Sequence, residues 1–285
     1  MTGFSRRIGV RPWQLLVALG ANVVLGTLAP DARAGEAAYE IDTIVPLTGG
    51  AAFVGKSMQD TMQLSEKTLN KAGGIGGRPL HFVFHDDQSK PQVAVQLANA
   101  AVAKRPAVIF GSSITAMCNA MAPLVANGPV MYCLSPGVHP PAGSYMLTAN
   151  VSSVDYLTAL IRYFRLNGWV RIAVITTIDS SGQDADRGLD ELARASENRD
   201  ITFVERAHFD PTDVSVGAQI ERIRAAKPQA LIAWATGASI ATAYRGLAQA
   251  GLDVPVAPST STMVQGQIRQ YEAFLPRQLY FATTE

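Results

Sequence analysis

From Tyr39 onward, short unbroken apolar runs alternate with stretches whose apolar positions recur every three to four residues. An unbroken run bounded by turn residues reads as a strand buried on both faces, and the longer period reads as a helix with one face inward. The pattern predicts strands at residues 41–46, 80–84, 107–110 and 130–134. The stripe Val54, Met58, Met62, Leu69 and Ala72 predicts a helix ended by Gly73-Gly74, and Val93, Leu97, Ala100 and Ala101 predict another. A second block opens at Ser152-Ser153-Val154-Asp155, a helix-start signature, and its stripe is Val154, Leu157, Ile161 and Phe164. Strands follow at residues 171–175, 201–205, 230–235 and 254–257, with helices between them. Strand and helix alternating through short links define an α/β protein with doubly wound parallel sheets, here in two lobes joined near residues 149–153.

Ligands of such sheets collect at the carboxyl ends of strands, and two hydroxyl-rich corners fall there. In the first, the run Ala107–Phe110 stops at Gly111 and opens into Ser112, Ser113 and Thr115, with helical spacing from Met117 on. Hydroxyls beside the free N–H groups of a helix start can hold a small carboxylate without a formal positive charge. They can equally well cap that helix and nothing more. The second corner is Ser135-Pro136-Gly137, a sharp stop after the next strand.

The start of the chain breaks the alternation. Arg6, Arg7 and Arg11 precede an apolar run ending near Leu28, and Ala32-Arg33-Ala34 offers small residues at a cleavage site. This is the pattern of a secretory signal peptide spanning residues 1–34. An uncleaved anchor fits less well, because the run is short and carries Asn22, Gly20 and Gly26. Without that segment the chain keeps 20 Lys and Arg against 22 Asp and Glu, a balance with no footprint for nucleic acid. An exported product also places Cys118 and Cys133, the chain's two cysteines, in an oxidising compartment. One is predicted on the helix after the hydroxyl corner and the other in the next strand. Buried free thiols are the favoured reading, with a disulfide as the alternative.

Enzyme and cofactor signatures are missing from the sequence. It has no Gly-x-Ser-x-Gly elbow, no His-Glu-x-x-His pair and no Cys-x-x-Cys set, and its four histidines are too few and scattered to suggest a metal site. The glycine-rich Gly73-Gly-Ile-Gly-Gly77 follows a helix and lacks the Gly-Lys-Ser/Thr of a phosphate loop, so it reads as a turn. No catalytic residue, cofactor or metal is expected.

Several separated stretches carry a resemblance. They include Pro46-Leu-Thr-Gly49, Asn70-Lys-Ala-Gly-Gly-Ile-Gly-Gly-Arg-Pro-Leu80, Asp86-Asp87-Gln-Ser-Lys-Pro91, Phe110-Gly-Ser-Ser113 and Ser135-Pro-Gly137. In the second block Phe209-Asp-Pro-Thr-Asp213, Ala226-Lys-Pro228 and Ala250-Gly-Leu252 continue it. In this order the chain resembles the periplasmic leucine/isoleucine/valine-binding proteins of ABC importers, the type I solute-binding fold. The resemblance implies an N-terminal lobe at 35–150 and a second lobe at 151–285, closing over a solute and docking on a permease. Members run on after the strand that residues 278–283 resemble, so the closing C-terminal part of the fold is expected to be absent here.

Carried over position by position, the resemblance nominates Thr115 as the hydroxyl that meets the ligand carboxylate and Ser135 and Gly137 as a corner whose backbone groups face the ligand, with Ser112 and Ser113 nearby and Val54 covering the solute. His139 falls where amino-acid binders often place a Thr, Ser181 where they place a Tyr, and Thr236-Gly237 at another contact corner. Thr260 stands where amino-acid binders keep an acid against the ligand's ammonium, with Asp179 as a substitute acid from a neighbouring loop. The implied solute is a small carboxylate-bearing molecule, either a hydrophobic amino acid or an aromatic or aliphatic acid. The rival reading is the ligand-sensing domain of a signalling system.

Overall fold

A computed structural model describes residues 37–284, and the signal-peptide segment lies outside the described residues. The first half runs β1 (Tyr39–Val45), α1 (Ala52–Lys71), β2 (Leu80–Asp86), α2 (Pro91–Ala103), β3 (Val108–Phe110), α3 (Thr115–Met121), β4 (Val130–Tyr132) and β5 (Met146–Leu147). The second runs α4 (Ser153–Leu166), β6 (Arg171–Thr177), α5 (Ser180–Arg194), β7 (Thr202–Phe209), α6 (Gly217–Ala225), β8 (Ala230–Trp234), α7 (Ser239–Ala250), β9 (Val256–Pro258) and α8 (Gln265–Gln270). Every strand pairing between them is parallel, in two sheets ordered β2-β1-β3-β4-β5 and β7-β6-β8-β9. The chain therefore has the type I periplasmic-binding-protein fold of two doubly wound sheets.

Period-two geometry explains why the strands read as unbroken apolar runs. In β6, Ile172 and Val174 join the core under α4 and α5, while Ala173 and Ile175 join the core under α6 and α7. β8 divides the same way, Ile232 and Trp234 to one side and Leu231 and Ala233 to the other. The first sheet has Ala94, Ala98 and Met117 of α2 and α3 against Ile44 and Ile109 on one face. On its other face Phe82, Phe110 and Tyr132 form an aromatic row, with centroids 5.6 and 5.4 Å apart, beneath Met62 of α1.

Two expectations need correction. Cys118 and Cys133 form a disulfide, their Cα atoms 6.2 Å apart, linking α3 to the residue that follows β4. Gly111 leaves space for it: a Cβ there would lie 3.0 Å from Cys133 Sγ and 3.3 Å from Cys118 Sγ. Residues 278–283 form no strand, touching the sheet through one parallel bridge from Leu279 to Val256. β9, their neighbour, is three residues long and ends in Pro258, so it offers little ladder to extend.

Loop chemistry sets where α1 begins. Gln88 and Ser89 both take left-handed backbone conformations, held by Asp86 Oδ1 and Asp87 Oδ1 accepting their N–H groups at 2.8 Å. Ser89 Oγ then donates to Thr48 O at 2.9 Å and accepts from Ala51 N at 3.1 Å, fixing the chain that leads to Val54.

Candidate functional site

The carboxyl ends of β3, β4, β8 and β9 meet at a cleft between the two sheets. It contains an outer cavity of about 230 Å³ and, beside it, a narrow inner pocket with only about 20 Å³ of free space. They share Ser113, Pro136, Thr260 and Ser261. Ser and Thr supply ten of the lining residues of the two cavities, and among the described residues no Asp, Glu, Lys, Arg or His lines either. Val54, Met58, Leu134, Tyr156 and Val264 make the outer part apolar, while Trp234 closes the inner part.

The hydroxyls of the first corner have separate tasks. Thr115, the first residue of α3, lies with its Oγ1 2.8 Å from Ser135 Oγ, so the two predicted corners meet. Ser112 turns away from the cavity and donates to Asp87 Oδ2 at 2.7 Å. Burial pushes the Asp87 carboxyl above its usual range, opposed by this hydroxyl and by the Ser89 N–H. Ser113 lines both cavities, and its buried Oγ has no hydrogen-bond partner. A buried hydroxyl left unpaired costs about 1–3 kcal/mol, so this oxygen is suited to a bound polar group. Capping does not account for the cluster, because α3 begins after Ile114 with no side-chain cap. With seven residues α3 has only a small dipole, which leaves anion recognition to the hydroxyls.

Gly137 lines the inner cavity because a side chain cannot fit. A Cβ there would lie 2.7 Å from Thr115 Oγ1 and 3.1 Å from Asp184 Oδ2. From the second sheet, Thr236 Oγ1 donates to Ser181 Oγ at 3.1 Å, and both line the inner cavity. Thr260 lines both cavities from the segment after β9, next to Ser261, whose Oγ is 2.8 Å from Ser259 Oγ.

Four nominated residues stand outside the lining. Ser112 is committed to Asp87, as above. Asp179 is the N-cap of α5, its Oδ1 accepting from Ser181 N at 3.1 Å, Gly182 N at 3.0 Å and Thr177 Oγ1 at 2.8 Å. Its charge serves its own helix and is no substitute acid for the cavity. Gly237 adopts φ +69° behind Thr236, with its carbonyl accepting from Gln267 Nε2 at 2.6 Å. His139 points at Asp184 of α5, Nε2 to Oδ1 2.6 Å. Sequence reasoning passed over Asn150, Tyr156, Trp234, Ser259 and Ser261 in the lining. The run Ser259-Thr260-Ser261-Thr262 after an apolar strand was the available signal for the last two; Asn150, Tyr156 and Trp234 carried none.

The fold agrees with a family model. The model for the family described as periplasmic binding protein matches residues 40–283, and the chain belongs to that family. A curated relative, Leu/Ile/Val-binding protein homolog 3 of Brucella melitensis, is 37% identical over 68 residues, 24% of this chain and 18% of that one. A type 1 periplasmic binding protein of Bordetella pertussis superposes with a TM-score of 0.73 at 21% identity, covering 83% of this chain and 66% of its own. A solute-binding protein of an ABC transporter from Rhodopseudomonas palustris, solved in complex with benzoate, gives a TM-score of 0.68 at 18% identity, covering 78% and 62%. The chain thus spans less than two thirds of the length of either solved structure.

Proposed function

We propose that the cleft captures a small organic acid, and that the protein is the exported solute-binding component of an ABC importer rather than an enzyme. The observation that carries this reading is the lining itself, rich in hydroxyls and, among the described residues, without a charged side chain. Ser113, Thr115 and Ser135 offer hydroxyls to a carboxylate, and Val54, Met58 and Leu134 receive an apolar body. An α-ammonium group would enter without an anionic partner, at a cost of several kcal/mol, roughly, if fully desolvated. Thr260 sits in the lining where an acid would be needed, and Asp179 is occupied elsewhere. The preferred solutes are therefore aromatic or aliphatic acids over their α-amino counterparts, in keeping with the benzoate bound to the Rhodopseudomonas protein.

The two lobes, residues 35–150 and 151–285, close over the solute, and the closed form docks on a permease in the inner membrane. Residues 1–34 are removed on export to the periplasm. Titration calorimetry with benzoate and with leucine tests the solute class. Benzoate is expected to bind more tightly; leucine binding more tightly than every des-amino acid offered would overturn the reading.

A further inference from the structure

Asp184 is a carboxylic acid on α5 with only 4% of its surface exposed, yet little of its own lobe satisfies it. Its Oδ1 accepts from Arg187 Nη2 at 3.0 Å, a half-exposed partner one turn along the same helix. The stronger contact comes from the opposite lobe, His139 Nε2 at 2.6 Å. Its Oδ2 is buried with no hydrogen-bond partner and faces Gly137, the cavity residue two positions before His139. A carboxylate loses water only where something covers it, and here the cover includes the first-lobe segment from Gly137 to His139. A second contact joins the lobes two residues after Thr236, where Ala238 N donates to Gly50 O at 2.8 Å.

We propose that Asp184 is a positioning residue for solute capture, forming with His139 the latch that holds the lobes closed. Both ends of the latch are tied to the cavity. His139 follows Ser135 and Gly137 on one short segment, and Asp184 follows Ser181 by one turn of α5. Setting Ser135 and Ser181 around a solute therefore brings His139 onto Asp184. A contact present only in the closed form raises affinity by raising the population of that form, without touching the solute. For its effect on affinity this proposal rests on the solute-binding reading above. The contact itself does not.

A double-mutant cycle of His139→Gln, Asp184→Ala and the pair tests it in the full chain, with Asp184→Asn as a shape-preserving second variant. Each single variant is expected to weaken benzoate about tenfold, and the pair no more than either alone. Small-angle scattering with benzoate should show a larger radius of gyration for each variant than for the unmutated chain. Arg187→Ala, which removes only the same-helix partner, is expected to leave affinity and radius unchanged. Additive losses, or no loss in either single variant, would overturn the latch. If benzoate fails to bind the unmutated chain, the thermal midpoints of the same cycle decide. Coupled losses keep the latch while the solute class falls, and uncoupled losses sink the latch as well.

Discussion

The two lobes present hydroxyl corners of the same kind to one cavity, but they hold them by different means. In the first lobe the disulfide ties α3 to the segment after β4, the same two pieces of chain that the Thr115–Ser135 hydroxyl pair joins. Buried Asp87 adds a third brace through Ser112. In the second lobe the corner rests on hydrogen bonds alone: the Asp179 cap on α5, the Thr236–Ser181 bond, and Ser259 Oγ donating to Ala235 O at 2.7 Å. Neither cysteine of the chain lies there. A covalently braced wall keeps its geometry whether or not the cleft is closed, whereas a wall held by single hydrogen bonds can adjust as it arrives. On the reading proposed here, the first lobe sets which chemical group is recognised and the second supplies the closing surface.

The largest expected departure comes from removing the brace. Closing a loop of 15 residues by a disulfide is worth about 3 kcal/mol, so Cys118→Ala with Cys133→Ala should lower unfolding stability by that order. Benzoate affinity should fall with it, because Thr115 and Ser135 lose their fixed spacing. Denaturant melts and calorimetry on the same sample check both; a stable variant with unchanged affinity would show that the two lobes are equally well held without the bridge.

Thr115→Val is expected to act on binding and leave the fold largely intact. It keeps the shape of the side chain but removes a hydroxyl that would meet a carboxylate, worth about 1.5–3 kcal/mol, or roughly 10- to 150-fold in affinity. Because α3 carries no side-chain cap, little helix stability is at stake. A loss confined to the melting temperature would instead make Thr115 a packing residue.

Asp179→Ala should give the smallest and opposite signature. Losing an N-cap costs about 1 kcal/mol of stability, and the ratio of benzoate to leucine affinity should stay the same. If leucine alone weakened in this variant, the second lobe would hold the missing acid after all.

Much of this architecture was legible in the chain. Unbroken apolar runs such as residues 172–175 and Ala230–Trp234 are buried on both faces, and that burial leaves its mark on consecutive residues. The strand-end corners at Ser113 and Ser135 were legible for the same reason, since a parallel sheet puts its loops where its apolar runs stop, whereas Thr236 came from the family resemblance. Family membership followed from motifs spaced along residues 40–283.

Only the tertiary structure decided how those corners were spent. Asp179 and Asp184 lie five residues apart at the start of one helix, yet the first caps that helix and the second reaches the other lobe. The pairing of Cys118 with Cys133, the space that Gly111 leaves for it, and the turn of Ser112 towards Asp87 were equally closed to inspection of the sequence. Local pattern determines which residues sit inside and which end a strand, because those depend on neighbours along the chain. Which buried oxygen finds a partner depends on distances between segments remote in sequence, as with Asp87 and Ser112 or His139 and Asp184, and such distances exist only once the sheets have packed.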